Sequence, residues 1–291
     1  MRHSAIPTCA PRGNSTPIST VLLSLAVAVS GCSLTVELNS PAGDSTDKVW
    51  TEPFDGYDLV DLSHPLSPDS LYWPNGSAFE YERQVWGTGD DGKWYAMGYF
   101  ATPEHLGTHL DAPIHFAEGR WTNTEIPVDR FFAPAVVVDI SERATSDPNA
   151  TLRASDIDEW VAGHGAIPDS AIILVRTGWS TKWPDWNAYY GSDDPFDTTT
   201  LNFPGVSAEG ASRAIEAGAV GVGVDTASID AGNDTAFDAH RVLAEAQVFN
   251  LENLMNLDQL PAAGAYLVAL PAKIEGGSGA PARVVALVPR D

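Results

Sequence analysis

The chain has 291 residues, 16 Lys and Arg against 39 Asp and Glu, a formal charge of -23 and 44% hydrophobic residues, enough to build a sizeable core. So acidic a chain repels phosphate backbones, which excludes non-specific nucleic-acid binding, and nine Trp with only 19% charged residues exclude global disorder. Cys9 and Cys32 are the only cysteines and both lie near the N-terminus, so no disulfide framework staples the body.

The first elements in chain order are an address. Arg2 and Arg12 are the only charged side chains before residue 37, and the apolar run Val21 to Val29 follows them. That run is far shorter than the roughly 20 residues of a bilayer span and matches a signal-peptide core. It ends in Val29-Ser30-Gly31-Cys32, which resembles a bacterial lipobox. The expectation is a lipoprotein signal peptide over 1–31, lipidation of Cys32, a flexible tether over 32–49 rich in Ser, Thr, Asn, Asp, Pro and Gly, and one domain over 50–291. The protein is then exported and anchored in a membrane by lipid, extracytoplasmic or periplasmic. Lys48, Lys93, Lys182 and Lys273 are its only lysines, a composition that fits a hydrated carboxylate surface from a saline habitat.

Beyond residue 50 no linker divides the chain and no internal repeat recurs. Strands are predicted at Ala135–Ile140, Ala171–Val175, Ala219–Val224, Tyr266–Leu270 and Val284–Val288, and their near-continuous apolar character suits a sheet covered on both faces. Helices fall between them: one capped by Ser155 and running through Trp160 and Val161, one capped by Ser207 and ended by Gly218, one over Phe237–Gln247. Interleaved strands and helices make an α/β class. Gly218, Gly221 and Gly223 lie at a helix end and inside a strand, so the dinucleotide fingerprint fails and close backbone packing is the expected role. The Trp-rich stretch from Trp179 to Trp186, with Tyr189 and Tyr190 after it, is expected as a packed loop.

The chemistry concentrates in His105-Leu106-Gly107-Thr108-His109-Leu110-Asp111-Ala112-Pro113-Ile114-His115. Three of the chain's seven histidines fall within these eleven residues, with a carboxylate among them. Imidazole and carboxylate are ligands for borderline divalent metals. Gly107, Thr108 and Pro113 disfavour a helix, so a turn or strand end is expected, with His109 and Asp111 on one face as alternate residues. Glu104 precedes His105, which departs from the His-Glu-x-x-His pattern of zincins.

This motif resembles the signature of the metal-dependent "cyclase" hydrolases, the group that includes bacterial kynurenine formamidase and isatin hydrolase. Asp61-Leu62-Ser63-His64-Pro65-Leu66, Tyr72-Trp73-Pro74, Arg176-Thr177-Gly178-Trp179, Gly223-Val224-Asp225-Thr226, Glu252-Asn253-Leu254 and Lys273 to Pro281 extend the resemblance over roughly residues 58 to 290. It implies a swivelling β/β/α-type single domain, with a mixed sheet curled into a barrel-like core, outer helices, and a homodimer or higher homo-oligomer. It implies that His105, His109 and Asp111 ligate one ion. His240 and Glu252, twelve residues apart, complete a second site in which Asp111 and Glu252 bridge. The resemblance also matches His115 to the acid/base and Trp73 to the substrate pocket. His64 is expected to be a hydrogen-bonded structural residue and His164 a loop residue. Gly276-Gly277-Ser278-Gly279 is either an anion cradle or, by slight preference, a turn.

The ligand set explains the implied activity. One or two divalent ions, Zn or Mn, lower the pKa of bound water from 15.7 to about 7 and polarise a carbonyl, while a histidine such as His115 exchanges the proton. The function expected is hydrolysis of a C-N bond in a small molecule, a formamide, cyclic amide or related carbonyl compound, by a metal-bound hydroxide. The competing functions are an exported lipoprotein that binds a metal or small molecule, and a lyase or dehydratase on the same scaffold.

Overall fold

The computed structural model describes residues 54–194 and 196–290; the expected signal peptide, Cys32 and the expected tether lie outside the described residues. Along the chain run β1 (Tyr57–Asp61), β2 (Glu80–Thr88), β3 (Trp94–Ala101), β4 (His109–Asp111), β5 (Phe132–Asp139), α1 (Ser141–Ser146), β6 (Thr151–Leu152), α2 (Ala154–His164), β7 (Ile172–Arg176), α3 (Trp186–Tyr190), β8 (Gly205–Val206), α4 (Ala208–Glu216), β9 (Gly221–Val224), α5 (Asp238–Glu245), β10 (Phe249–Glu252), β11 (Ala265–Pro271) and β12 (Gly279–Pro289). Seven strands close on themselves in the order β12-β11-β5-β7-β9-β10-β4, because β4 pairs with both β10 and β12, and β1 adds to β12 outside the ring. β5, β7, β9 and β10 are parallel; the rest of the ring is antiparallel. The molecule is therefore a mixed α/β domain with a closed, barrel-like sheet and few helices.

Strand alternation divides the apolar residues into two cores. Ala135, Val137, Ile172, Leu174, Leu251, Leu267 and Ala286 fill the barrel. Val136, Val138, Ile173, Val175, Val222 and Val224 point outward and meet Ile157 and Trp160 of α2, Ala211 and Ala214 of α4, and Ala239 and Leu243 of α5. These strands are covered on both faces, which is why their sequences read as apolar runs. Gly221 and Gly223 face inward where a Cβ would strike the Phe249 ring at 2.5 Å and Leu174 at 2.8 Å, so close packing is their role. Gly218, by contrast, ends α4 at φ +84°.

Ser207 caps α4 by accepting from the Gly210 N-H. Ser155 does not cap α2: it sits in the first turn, and Asp156 accepts from the Arg153 N-H instead, a carboxylate at a helix N-terminus. α5 begins one residue later and ends two residues earlier than its apolar pattern predicts, with Phe237 held in the left-handed region at φ +55°. β1, β10 and the hairpin β2–β3 had no signal strong enough to be predicted, whereas β4 is the strand end expected at His109 and Asp111. β10 is four residues long, too short for an alternation to register. The Trp-rich stretch forms a short 3-10 turn and α3, packed with Leu71, Tyr189, Tyr190, Leu201 and Phe203 into a third, smaller core that borders the barrel mouth.

Candidate metal centre

β4 is the element on which the site is built. In its two ladders His109 lies opposite Glu252 of β10 and Pro281 of β12, and Asp111 lies opposite Asn250 and Gly279. Sheet closure thus sets two segments 141 residues apart side by side. α5 approaches from the outer layer and presents His240 on its buried face. Asp230 holds that helix by accepting from the Ala239 and His240 N-H groups at 2.6 and 3.2 Å, while its Oδ2 also meets His240 Nδ1 at 2.5 Å.

His109, Asp111, His240 and Glu252 are all 5% exposed or less. His240 Nε2 is 3.1 Å from Asp111 Oδ2 and 3.2 Å from Glu252 Oε1. His109 Nε2 is 3.2 Å from Asp111 Oδ1 and 3.4 Å from Glu252 Oε2. Each carboxylate therefore turns one oxygen toward His109 and the other toward His240. Glu252 Oε1 also accepts from the Ile229 N-H at 2.7 Å. His105 Nδ1 meets Asp111 Oδ1 at 2.5 Å, and a nitrogen of His115 lies within 4.8 Å of donor atoms on His105 and Asp111. The His105 and His115 rings stack at 3.9 Å, and His115 stands 5.9 Å from the ring of His240.

Burial opposes charge at His109, Asp111, His115, His240 and Glu252, and neighbouring carboxylates overcome it at His109 and His240. Burial alone would lower His109, but Asp111 and Glu252 raise it to about 9. Against the same burial, hydrogen bonds to Asp111, Asp230 and Glu252 hold His240 well above the usual imidazole range. Burial works to raise Asp111, and His105 and His109 together hold it well below the ordinary value. Glu252 is raised, first by burial and then by the Asp111 carboxylate. His115 is pushed down to about 4 by desolvation, with His105 and His240 adding to the fall.

These residues fit a divalent cation. His109 Nδ1 is engaged by the Gly107 carbonyl at 2.8 Å, which leaves the buried Nε2 without a hydrogen-bond partner. That atom points between two carboxylate oxygens. Ligand atoms on bonds of about 2.1 Å stand roughly 3.0–3.4 Å apart at octahedral to tetrahedral angles, which matches the spacing among His109, Asp111, His240 and Glu252. Protons raised onto imidazoles by crowded carboxylates are also what a cation displaces on binding.

The cluster forms the floor of a cavity of about 300 Å³, and Trp73, Tyr72, Leu71, Phe116, Tyr190 and Phe237 make its walls. Trp73 stands edge-on to Tyr190 at 6.3 Å and 6.2 Å from Phe237. All seven predicted residues of the domain, His105, His109, Asp111, His115, His240, Glu252 and Trp73, line this cavity or meet at its floor. Asp230, Phe116, Phe237, Tyr190 and Ser278 were not predicted. For Asp230 the signal was available as an acidic residue ahead of a helix carrying a candidate ligand; the aromatic walls carry none that separates them from core.

His64 differs from its expected role. Its ring stacks on Trp183 at 4.3 Å, Nε2 is buried without a partner, and desolvation lowers its pKa to about 4. His164 is the last residue of α2, stacked on Trp160 and hydrogen-bonded to its carbonyl, not a loop residue. The Gly276–Gly279 segment is a turn that does receive an anion: the Ser278 N-H and Oγ both reach Glu104 Oε2, at 3.0 and 2.5 Å.

The model of the Cyclase family matches residues 60–231 of this chain. The isatin hydrolase of Roseibium aggregatum is 36% identical over 209 residues, covering 69% of this chain and 78% of that protein. The kynurenine formamidase of Salinibacter ruber is 29% identical over 231 residues, covering 78% and 96%. Among solved structures, an isatin hydrolase bound to the product analogue thioisatinate superposes with a TM-score of 0.74 at 32% identity, covering 81% of this chain and 94% of that one.

Proposed function

The chain belongs to the Cyclase family of hydrolases, and from that premise we propose that it opens an amide C-N bond in a flat aromatic small molecule, a cyclic amide of the isatin type or an aryl formamide. It is a metal-dependent hydrolase of carbon–nitrogen bonds other than peptide bonds. The observation that carries the reading is the split of Asp111 and Glu252, each with one oxygen toward His109 and one toward His240. That arrangement supports two ions, Zn or Mn, which would be held by His105, His109, His240, Asp111 and Glu252.

A divalent cation there supplies Lewis acidity toward the substrate carbonyl and toward water. The aromatic walls hold a planar ring and exclude water around it. His115 stacks on His105 and lines the same cavity. With its pKa lowered to about 4 it is neutral at pH 7, so a ring nitrogen is free to accept a proton from the attacking water and return it to the departing nitrogen. No serine or cysteine nucleophile is required. Elemental analysis of the purified protein beside His109→Ala and Glu252→Ala, with turnover of isatins and aryl formamides, tests this. Stoichiometric metal lost in both variants is the expected result. Undiminished turnover after exhaustive chelation would overturn it.

Two further proposals concern assembly and place. β2 and β3 expose Tyr81, Trp86, Trp94, Tyr95, Tyr99 and Phe100. An isolated two-stranded ribbon is marginal in water. Six half-exposed aromatics offer several hundred Å², on the scale of the ~800 Å² per partner of a stable interface. We propose that a second copy covers them in a homodimer. The Val21–Cys32 sequence supports export and lipid anchoring. Labelled palmitate that is incorporated by the wild type and not by Cys32→Ala is the expected result.

A further inference from the structure

Three imidazoles surround the proposed metal centre, and each has one ring nitrogen committed elsewhere. His109 commits Nδ1 to the Gly107 carbonyl and His240 commits Nδ1 to Asp230, so both present Nε2. His105 is turned the other way. Its Nδ1 faces Asp111 Oδ1 at 2.5 Å, and its Nε2 meets Ser278 Oγ at 2.9 Å.

A serine hydroxyl has one hydrogen to give. Ser278 Oγ stands 2.5 Å from Glu104 Oε2, and an ionised carboxylate only accepts. The Ser278 hydrogen therefore goes to Glu104, and Ser278 Oγ is left as an acceptor toward His105. Nε2 then carries a ring hydrogen, so that in the neutral imidazole the lone pair belongs to Nδ1 and is directed at Asp111. The loop is shaped for this contact. A Cβ on Gly277 would meet Glu104 Oε1 at 2.9 Å, and one on Gly279 would meet His105 Cε1 at 2.6 Å. The Ser278 carbonyl accepts from the Ala112 N-H at 2.8 Å, and Gly279 pairs with Asp111, so the loop is clamped to β4 itself.

We infer that Glu104, acting through Ser278, is a positioning residue that sets the tautomer of His105, so that Nδ1 is the nitrogen offered to the cation. The inference rests on the metal-centre reading above. Remove Glu104 and the Ser278 hydroxyl is free to donate to Nε2. The imidazole then takes the Nδ1-H tautomer, donates to Asp111, and withdraws a ligand lone pair.

Zinc affinity and histidine 15N spectra of the zinc-loaded protein test this, with His105→Ala used to assign the ring signals. The wild type is expected to show His105 with hydrogen on Nε2. Glu104→Ala and Ser278→Ala are each expected to lose about 10–100-fold in zinc affinity. The double variant should lose no more than the larger single loss, because the two residues act as one relay. Melting curves identify a variant that fails to fold, and the other single variant then carries the test. A wild type that binds zinc and loses it in His109→Ala, while Glu104→Ala and Ser278→Ala both keep affinity within twofold, overturns the relay and leaves the metal centre standing. So does an Nδ1-H tautomer for His105 in the wild type. A wild type that binds no divalent cation overturns the metal centre, and the relay with it.

Discussion

The barrel and the β2–β3 hairpin are both made of strands rich in apolar residues, yet they put them to opposite ends. β7 and β9 are buried along almost their whole length, whereas nearly every residue of β2 and β3 is exposed. The barrel strands satisfy one another's backbones in a closed ring and bury side chains on both faces. Among the described residues the strands of the hairpin pair only with each other, and nearly all of their residues stay exposed. Apolar content therefore says that a segment pairs and needs cover; it does not say whether the cover comes from its own chain. The candidate metal centre is built where β4 closes the ring, with His240 added from α5, and takes no residue from the hairpin, so damage to the two regions should separate cleanly.

The largest effect is expected inside the ring. His109→Ala removes the buried nitrogen that points between Asp111 and Glu252. Its kcat/KM should fall by at least about 10²–10³-fold, with loss of bound metal in elemental analysis. Next comes the barrel filling. Leu174 is fully buried between strands, and Leu174→Ala should cost about 2–5 kcal/mol, read from denaturant midpoints. If that variant kept its stability, the contrast between the two regions would lose its energetic basis. Smaller again is Asp230→Asn. An amide keeps one oxygen to accept from the Ala239 N-H but puts an NH2 where Oδ2 accepted from the His240 N-H and met His240 Nδ1. Metal affinity should fall about 10–100-fold with little change in the melting temperature of the metal-free protein.

The same contrast explains what could be read in advance. The His105–His115 segment announced itself because its ligand types crowd a short window, and the long buried strands announced themselves as apolar runs. His240 and Glu252 were found only through resemblance. Their partnership with His109 is made by ladder register, opposite positions across β10 and β4, and nothing local in sequence encodes which strands become neighbours when a sheet closes. Asp230 was hidden differently. Its carboxylate serves as helix cap and imidazole partner at once, and a lone Asp in a loop has many commoner uses. Ser155 misled for a related reason: it sits beside Asp156, whose carboxylate, one residue further along the chain than expected, takes the N-terminal N-H.

The hairpin carries the smallest expected effect on barrel and site, and the sharpest test of the comparison. Trp94 and Tyr99 are 62% and 53% exposed, so replacing both by Ser removes no intramolecular core. Metal content should stay at the wild-type level, and the stability of the barrel should change by no more than about 0.5 kcal/mol per site. Association should respond instead, because exposed Trp and Tyr in a large apolar patch are the residue types on which interfaces depend most. Light scattering after size exclusion should show the wild type as a dimer and the double variant shifted toward monomer at the same concentration. If the variant instead lost metal while remaining a dimer, the hairpin would be part of the site and not of the interface. The division between a self-covered barrel and a partner-covered ribbon would then have to be abandoned.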